Sequence, residues 1–293
     1  MFPSEIMKMA EVEIFRGVDY GSDRKPIEGG LLDPRLGPPN KKCGNCATYG
    51  ANYKDCPGHF GYLALALPVY NVGYMGTVVD ILKCICKSCS GVLLKEEMRV
   101  EHLRRMRNPK LGPLKKTELM KMVVKKCNDL AANNRPVECS KCGYLNGSVK
   151  KTTGVVAIIH DRSEFGGVMD ELRSTISETK VSSAPFNLET HLMNPGEVFS
   201  LFKQMLDEDC ELLYLCTRPE NLLIMNIPVP PTVIRPSVLV DDSWTNENDI
   251  TERLKNIVQA NARLRHDLTQ DLPPAYAGGF KHSWDALQVE VAQ

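Results

Sequence analysis

Apolar residues recur at helical spacing in several stretches of this chain. Val78, Val79, Ile81 and Leu82 predict a helix over Met75–Cys84, and further helical patterns cover 95–107 and 117–130, the second with Leu119, Val123, Cys127 and Leu130 on one face. Pro109 and Pro113 separate these two, since proline ends or redirects a helix. Asn194, Pro195 and Glu197 supply an N-cap, a first-turn proline and a capping-box acid ahead of Val198, Leu201, Phe202, Met205 and Leu206. Asp249 caps a later helix striped by Ile250, Leu254, Ile257, Val258 and Leu264.

Shorter apolar runs at 155–159, 212–216 and 222–227 read as strands. Asn146-Gly147 signals a hairpin between 144–145 and 148–149. The glycines and prolines of 18–42 predict an ordered but irregular lead-in, and 161–189, acidic and polar, reads as a loop or insertion with at most a short helix. Pro228, Pro230, Pro231 and Pro236 predict a stiff, extended connection.

The 293 residues balance 36 Lys and Arg against 36 Asp and Glu, so no global field draws the chain to nucleic acid. One local exception is a basic stretch carrying Arg104, Arg105, Arg107, Lys110, Lys115, Lys116, Lys121, Lys125 and Lys126 against a lone Glu118. It reads either as a solvated helix face or as a surface facing phosphate. Glu5, Lys8, Glu11 and Glu13 interrupt the N-terminus, leaving no apolar core for a secretory signal. The longest apolar run, 62–70, is far short of a membrane span and contains Pro68.

Without a secretory signal, paired cysteines point to metal rather than to disulfides. Cys43/Cys46, Cys56/His59, Cys86/Cys89 and Cys139/Cys142 all share a two-residue gap, which lets both side chains of one tight turn reach the same ion. The short distances from Cys43 through Cys46 and Cys56 to His59 predict one zinc site. Cys86, Cys89, Cys139 and Cys142 then form a second, all-cysteine site closing a long helical excursion. A RING-type cross-brace fits poorly, because a long apolar segment separates His59 from Cys86.

Cys84, Cys127, Cys210 and Cys216 read as packing residues. His102, His160, His191, His266 and His282 lack a ligand-spaced partner and read as ordinary surface or packing residues. No Walker loop, G-x-S-x-G or H-E-x-x-H accompanies the cysteines, so no catalytic residue is assigned. Asp207-Glu208-Asp209 reads as a solvated turn rather than a Mg²⁺ site.

Two groups of motifs resemble a known family. The segments Leu31-Leu32-Asp33-Pro34-Arg35-Leu36-Gly37 and Asp55-Cys56-Pro57-Gly58-His59-Phe60-Gly61 resemble the N-terminal clamp of the largest subunit of multisubunit RNA polymerases. Ile227-Pro228-Val229-Pro230-Pro231, Ile234-Arg235-Pro236-Ser237 and Asn248-Asp249-Ile250-Thr251 resemble the segment leading into that subunit's lid. Among the nuclear enzymes, 67–74, 85–89 and 207–213 are most similar to RNA polymerase III in a plant-like version.

The resemblance implies an α+β fold: an irregular, zinc-stabilised clamp-head region with helices, joined to a small mixed α/β clamp core. The expected segments are a lead-in at 1–42, a clamp head with two zinc sites at 43–150, a clamp core at 151–239, and a lid-like segment with a terminal helix at 240–293. It further implies closure over template DNA and the RNA-DNA hybrid, other polymerase III subunits as partners, a nuclear location and no membrane. Two structural zinc ions belong to this chain, whereas Mg²⁺ belongs to the complete enzyme, held by an Asn-Ala-Asp-Phe-Asp-Gly-Asp loop that this sequence lacks. The end at 289–293, within an expected helix, fits a fragment.

The family places six residues between the second and third ligands of its first site, whereas nine separate Cys46 from Cys56. Aligned otherwise, Tyr49 stands at a cysteine position, and Cys43 restores the fourth ligand because loop length adds little closure entropy. The alternative reading is a free zinc scaffold that binds partners without nucleic acid.

Overall fold

The Met75–Cys84 helix forms where the apolar spacing predicts it, with Val78, Ile81, Leu82 and Cys84 all buried. This computed structural model describes residues 3–23, 25–132, 137–152, 156–162, 190–241, 244–269 and 277–293. Helices, small two- and three-stranded sheets and irregular stretches, above all residues 14–60, make up the described residues. By contact the chain forms two units, one of Met1–Val69 with Ile224–Gln293 and one of Tyr70–Leu223.

In the first unit, Val12–Glu13 pairs in parallel with the start of the Gly61–Tyr70 strand, and Leu223–Val229 flanks the same strand on its other side. The short Val12–Glu13 strand covers only the Gly61-Tyr62 end, so an edge continues beyond it. Side chains cover that edge: Ala66 N–H donates to Asn261 Oδ1 at 2.8 Å, and Asn261 and Arg265 donate to the Ala64 carbonyl. Ile14, Leu31, Leu63, Val229, Leu254, Val258, Leu264 and Leu287 form the core. Trp284 donates its indole N–H to the Pro68 carbonyl at 2.9 Å, which fixes the Ala277–Ala292 helix on the strand.

Asn248, one residue before the expected cap, accepts from the Ile250 N–H and starts the Asp249–Thr269 helix, while Ile250 itself is exposed. The proline-rich connection is tighter than expected. Arg235 N–H donates to the Thr232 carbonyl, and the fully buried guanidinium donates to the carbonyls of Leu31 and Pro230 and to Thr251 Oγ1. Three acceptors there replace water around a buried cation, and burial still lowers its pKa to about 10.

In the second unit, Tyr70, Leu82, Ile85, Val123, Cys127, Val198, Phe202 and Leu212 share one core. The helix after Pro113 spans Pro113–Ala132, four residues earlier than predicted, because Pro113 occupies its first turn rather than separating it from its neighbour. Leu130 and Val155, two of the expected apolar positions, and most of 161–189 lie outside the described side chains.

The Asn194 cap forms, with its side chain accepting from Glu197 N–H at 2.8 Å. Glu197 pairs instead with His191 at 2.8 Å, so the box is half made, and Leu206 points outward. The acidic triplet begins a short helix, Asp207–Leu212, rather than a solvated turn, and the strand expected at 212–216 is absent. Asp209 is 0 % exposed, accepts from Arg99 Nε at 2.8 Å and lies 3.9 Å from Lys141. Cys84, Cys127 and Cys210 are buried as expected, but Cys216, in the irregular segment after the Asp207–Leu212 helix, is exposed.

Candidate metal centres

Cys86, Cys89, Cys139 and Cys142 come together within the second unit, with all four sulfurs within 4.8 Å of one another. Cys86 and Cys142 are 3.6 Å apart, as are Cys89 and Cys139. Each pair sits in a turn of one design. Cys86 N–H donates to the Gly91 carbonyl and Ser90 N–H back to Cys86; Cys139 N–H donates to Tyr144 and Gly143 N–H back to Cys139. The returning residue adopts left-handed φ, 59° at Ser90 and 71° at Gly143, which is what curls the backbone amides toward the sulfur. Ser88 N–H points at Cys86 Sγ at 3.4 Å.

Two further side chains hold these turns in place. Asn146 is 1 % exposed; its Oδ1 accepts from Lys87 N–H at 2.9 Å, while its Nδ2 donates to the carbonyls of Tyr144 and Val137 and faces Cys86 Sγ at 3.5 Å. Lys87 turns its ammonium back onto the Leu82 and Ile85 carbonyls at the end of the Met75–Cys84 helix, at 2.5 and 2.7 Å. Burial lowers that ammonium to about 8.

The expected Asn-Gly hairpin does not form. Leu145–Asn146 pairs with Val137–Glu138, whereas Ser148–Lys151 pairs with Ile158–Asp161. Gly147 is the hinge between these sheets, donating its N–H to buried His160 Nε2 at 2.9 Å, and a Cβ there would strike the Asp161 carbonyl.

The thiols differ in their readiness to ionise. The Tyr144 N–H lowers Cys142 to about 7, whereas burial pushes Cys89 up to about 12 and raises Cys139 as well. A cation among the four sulfurs offsets that burial cost, so this donor set fits a soft, tetrahedral ion such as zinc.

In the first unit, Cys46, Cys56 and His59 also lie within 4.8 Å, with Cys56 Sγ 3.8 Å from His59 Nε2. Gly58 N–H points at Cys56 Sγ, and Tyr49 N–H at Cys46 Sγ, both at 3.4 Å. Gly58 has φ 81°, and a Cβ there would strike Pro231 and Val233, so only glycine fits this turn. Cys43, the fourth ligand expected from spacing, is outside the group. Both clusters can hold metal ions.

The basic stretch lies on two helices, Glu96–Met106 and Pro113–Ala132, and the segment between them. Lys115, Lys121, Lys125 and Lys126 are exposed, while Leu119, Val123 and Cys127 are buried. Arg107 is held by Glu211 at 2.9 Å and by Glu208, Arg105 approaches Glu101, and Lys126 Nζ contacts His102 at 3.0 Å. Among the described residues, Arg104, Lys110, Lys115, Lys116, Lys121 and Lys125 have no ion-pair partner. Arg104, Arg105 and Arg107 line a groove of about 790 Å³ with Val100, Leu103 and Pro109. No described helix is long and apolar enough to cross a membrane.

Asn146, Lys87 and Ser90 were not expected as parts of a site. A buried asparagine beside ligand cysteines is indistinguishable in sequence from a turn asparagine.

Comparison with known proteins adds a family. The chain is 36 % identical over 305 residues to DNA-directed RNA polymerase III subunit rpc1 of Schizosaccharomyces pombe, covering 99 % of this chain and 21 % of that protein. It is 32 % identical over 305 residues to the human subunit RPC1, with the same two coverages. It is 29 % identical over 296 residues to DNA-directed RNA polymerase subunit Rpo1N of Methanothermobacter thermautotrophicus, covering 99 % of this chain and 29 % of that one. The chain thus spans about a fifth of the length of these eukaryotic relatives. Residues 1–293 in their entirety match a single family model, and the chain belongs to that family, RNA polymerase Rpb1, domain 1.

Proposed function

We propose that this chain is the N-terminal clamp portion of the largest subunit of DNA-directed RNA polymerase III, closing over template DNA and the RNA-DNA hybrid in the nucleus. The observation that carries this reading is the match of residues 1–293 to Rpb1 domain 1, with relatives that are polymerase III subunits. Its partners are then the other subunits of that enzyme, and nucleotidyl transfer and its Mg²⁺ belong to the assembly.

Both ligand groups bind zinc in a structural role, because thiolate and imidazole donors in tight turns suit that ion. Cys86 and Cys89 hold one turn, Cys139 and Cys142 the other, and the helices Glu96–Met106 and Pro113–Ala132 lie in the chain between them. Tying the two turns therefore closes the loop that presents the lysines, a clamp head in miniature. Lys115, Lys121 and Lys125 face solvent without a carboxylate among the described residues, and they neutralise phosphate.

The pairing of Arg107 with Glu208 and Glu211 favours a second reading in one respect, since part of the basic stretch already serves the fold. On that reading the chain is a non-catalytic zinc scaffold without nucleic acid. Substituting Lys115, Lys121 and Lys125 by Gln in the assembled polymerase separates the two. Clamp function predicts weaker DNA binding and a shallower dependence of log K on log salt, by up to about 0.9 per lost phosphate contact. An unchanged slope contradicts it.

A further inference from the structure

Three turns among the described residues share one backbone pattern, and one of them lacks its second ligand. Cys46 N–H donates to the Ala51 carbonyl and Gly50 N–H back to Cys46, both at 2.8 Å, with Gly50 at φ 71°. This repeats the turns that begin at Cys86 and Cys139. In those two the fourth residue is a cysteine, Cys89 or Cys142; here it is Tyr49. Cys43 precedes the turn instead of belonging to it. Its N–H donates to the Asn40 carbonyl, and it lies outside the group formed by Cys46, Cys56 and His59.

Tyr49 does not take the missing role in this geometry. Its side chain is 71 % exposed, and its ring lies 6.0 Å from the His59 ring. The phenol forms a wall beside His59 where the other turns present a thiolate.

We propose that the first site is a three-donor centre of Cys46, Cys56 and His59, whose fourth coordination position takes an exogenous monodentate donor. That donor is water, displaceable by a small thiol or an imidazole. Three protein ligands with one exchangeable position make an ion accessible to solutes, whereas the four-cysteine site is closed. The inference rests on the metal-binding part of the proposed function alone. Ligation by Cys43 would overturn it and leave the polymerase reading intact.

The test is visible absorption of the 293-residue chain loaded with Co²⁺ at both positions. Imidazole is expected to shift the ligand-field bands of one ion and leave the other unchanged. Cys43→Ser should leave the spectrum as it is. Tyr49→Cys should raise the thiolate-to-cobalt absorption of the first ion by about half, from two sulfurs to three, and abolish its response to imidazole. Position 49 is exposed, so neither Tyr49→Cys nor Tyr49→Phe disturbs the core, and circular dichroism checks this directly. Loss of one sulfur's absorption in Cys43→Ser, loss of a phenolate band in Tyr49→Phe, no response to imidazole, or uptake of a single Co²⁺ would each overturn the proposal.

Discussion

Replacing Asn146 by Ala should weaken metal binding at the four-cysteine site without touching a ligand. Asn146 bridges the two turns, accepting from Lys87 N–H at 2.9 Å and donating to the Tyr144 carbonyl at 3.1 Å, with longer contacts to Val137 and Cys86 Sγ. An amide has two N–H groups, so only two of its three acceptors are well served at once. The substitution therefore removes about three hydrogen bonds, each worth about 1 kcal/mol net, and leaves the half-buried Lys87 N–H without that acceptor. A total loss of about 2–4 kcal/mol follows from those terms. Part of that appears as metal affinity, because groups that orient ligands typically contribute about 10- to 100-fold. Competition between the chain and a chromophoric chelator for zinc measures it. An affinity within twofold of the unsubstituted chain would refute the idea that Asn146 organises the site.

Three other outcomes follow from contacts elsewhere in the second unit. Asp209→Ala leaves Arg99 buried without its closest carboxylate and should cost about 3 kcal/mol, while the Asp209→Ala/Arg99→Met double variant should fall short of additivity by about 1–3 kcal/mol in urea unfolding. Strict additivity would mean that the pair is not coupled. Phe202→Ala removes a fully buried ring and should lower stability by about 3–5 kcal/mol, read as a drop in the denaturation midpoint at constant slope.

Buried His160 accepts from Gly147 N–H, and burial holds its pKa down to about 3. Because that lies below the unfolded value of about 6.5, protonation favours the unfolded chain, so stability is lost as pH falls below about 6.5, by at most about 1.4 kcal/mol per unit. Calorimetric melting at pH 7 and pH 5 should show a smaller drop for His160→Gln than for the unsubstituted chain; equal drops would exclude His160 as the cause.

The helices were legible because their stripes are long. Val78 to Leu82, Leu119 to Cys127 and Val198 to Met205 each repeat the core-facing spacing, and tertiary packing had nothing to override. Short signals failed where distant partners decided the outcome. Asn146-Gly147 has hairpin chemistry, but Lys87 and Cys86, some 60 residues earlier in the chain, recruit the asparagine, and Asp161 crowds the glycine into a hinge. The run 212–216 is apolar enough for a strand, yet Leu212 ends the Asp207–Leu212 helix, which Asp209 ties to Arg99 on another helix. For the ligands, the two-residue gap picks out residues that the structure gathers into two groups, Cys86, Cys89, Cys139 and Cys142 in one and Cys46, Cys56 and His59 in the other, with Cys43 outside the second. There spacing alone could not separate a cysteine inside the turn from one three residues ahead of it.

Purification of the tagged protein from its own cells, with mass spectrometry of what accompanies it and an assay of RNA synthesis on nicked DNA, tests the clamp assignment most directly. If the chain is the clamp portion, the other RNA polymerase III subunits are recovered stoichiometrically and ribonucleotides are incorporated in a template-dependent manner. Recovery of the protein free of polymerase subunits, with no RNA synthesis in any fraction containing it, would contradict it.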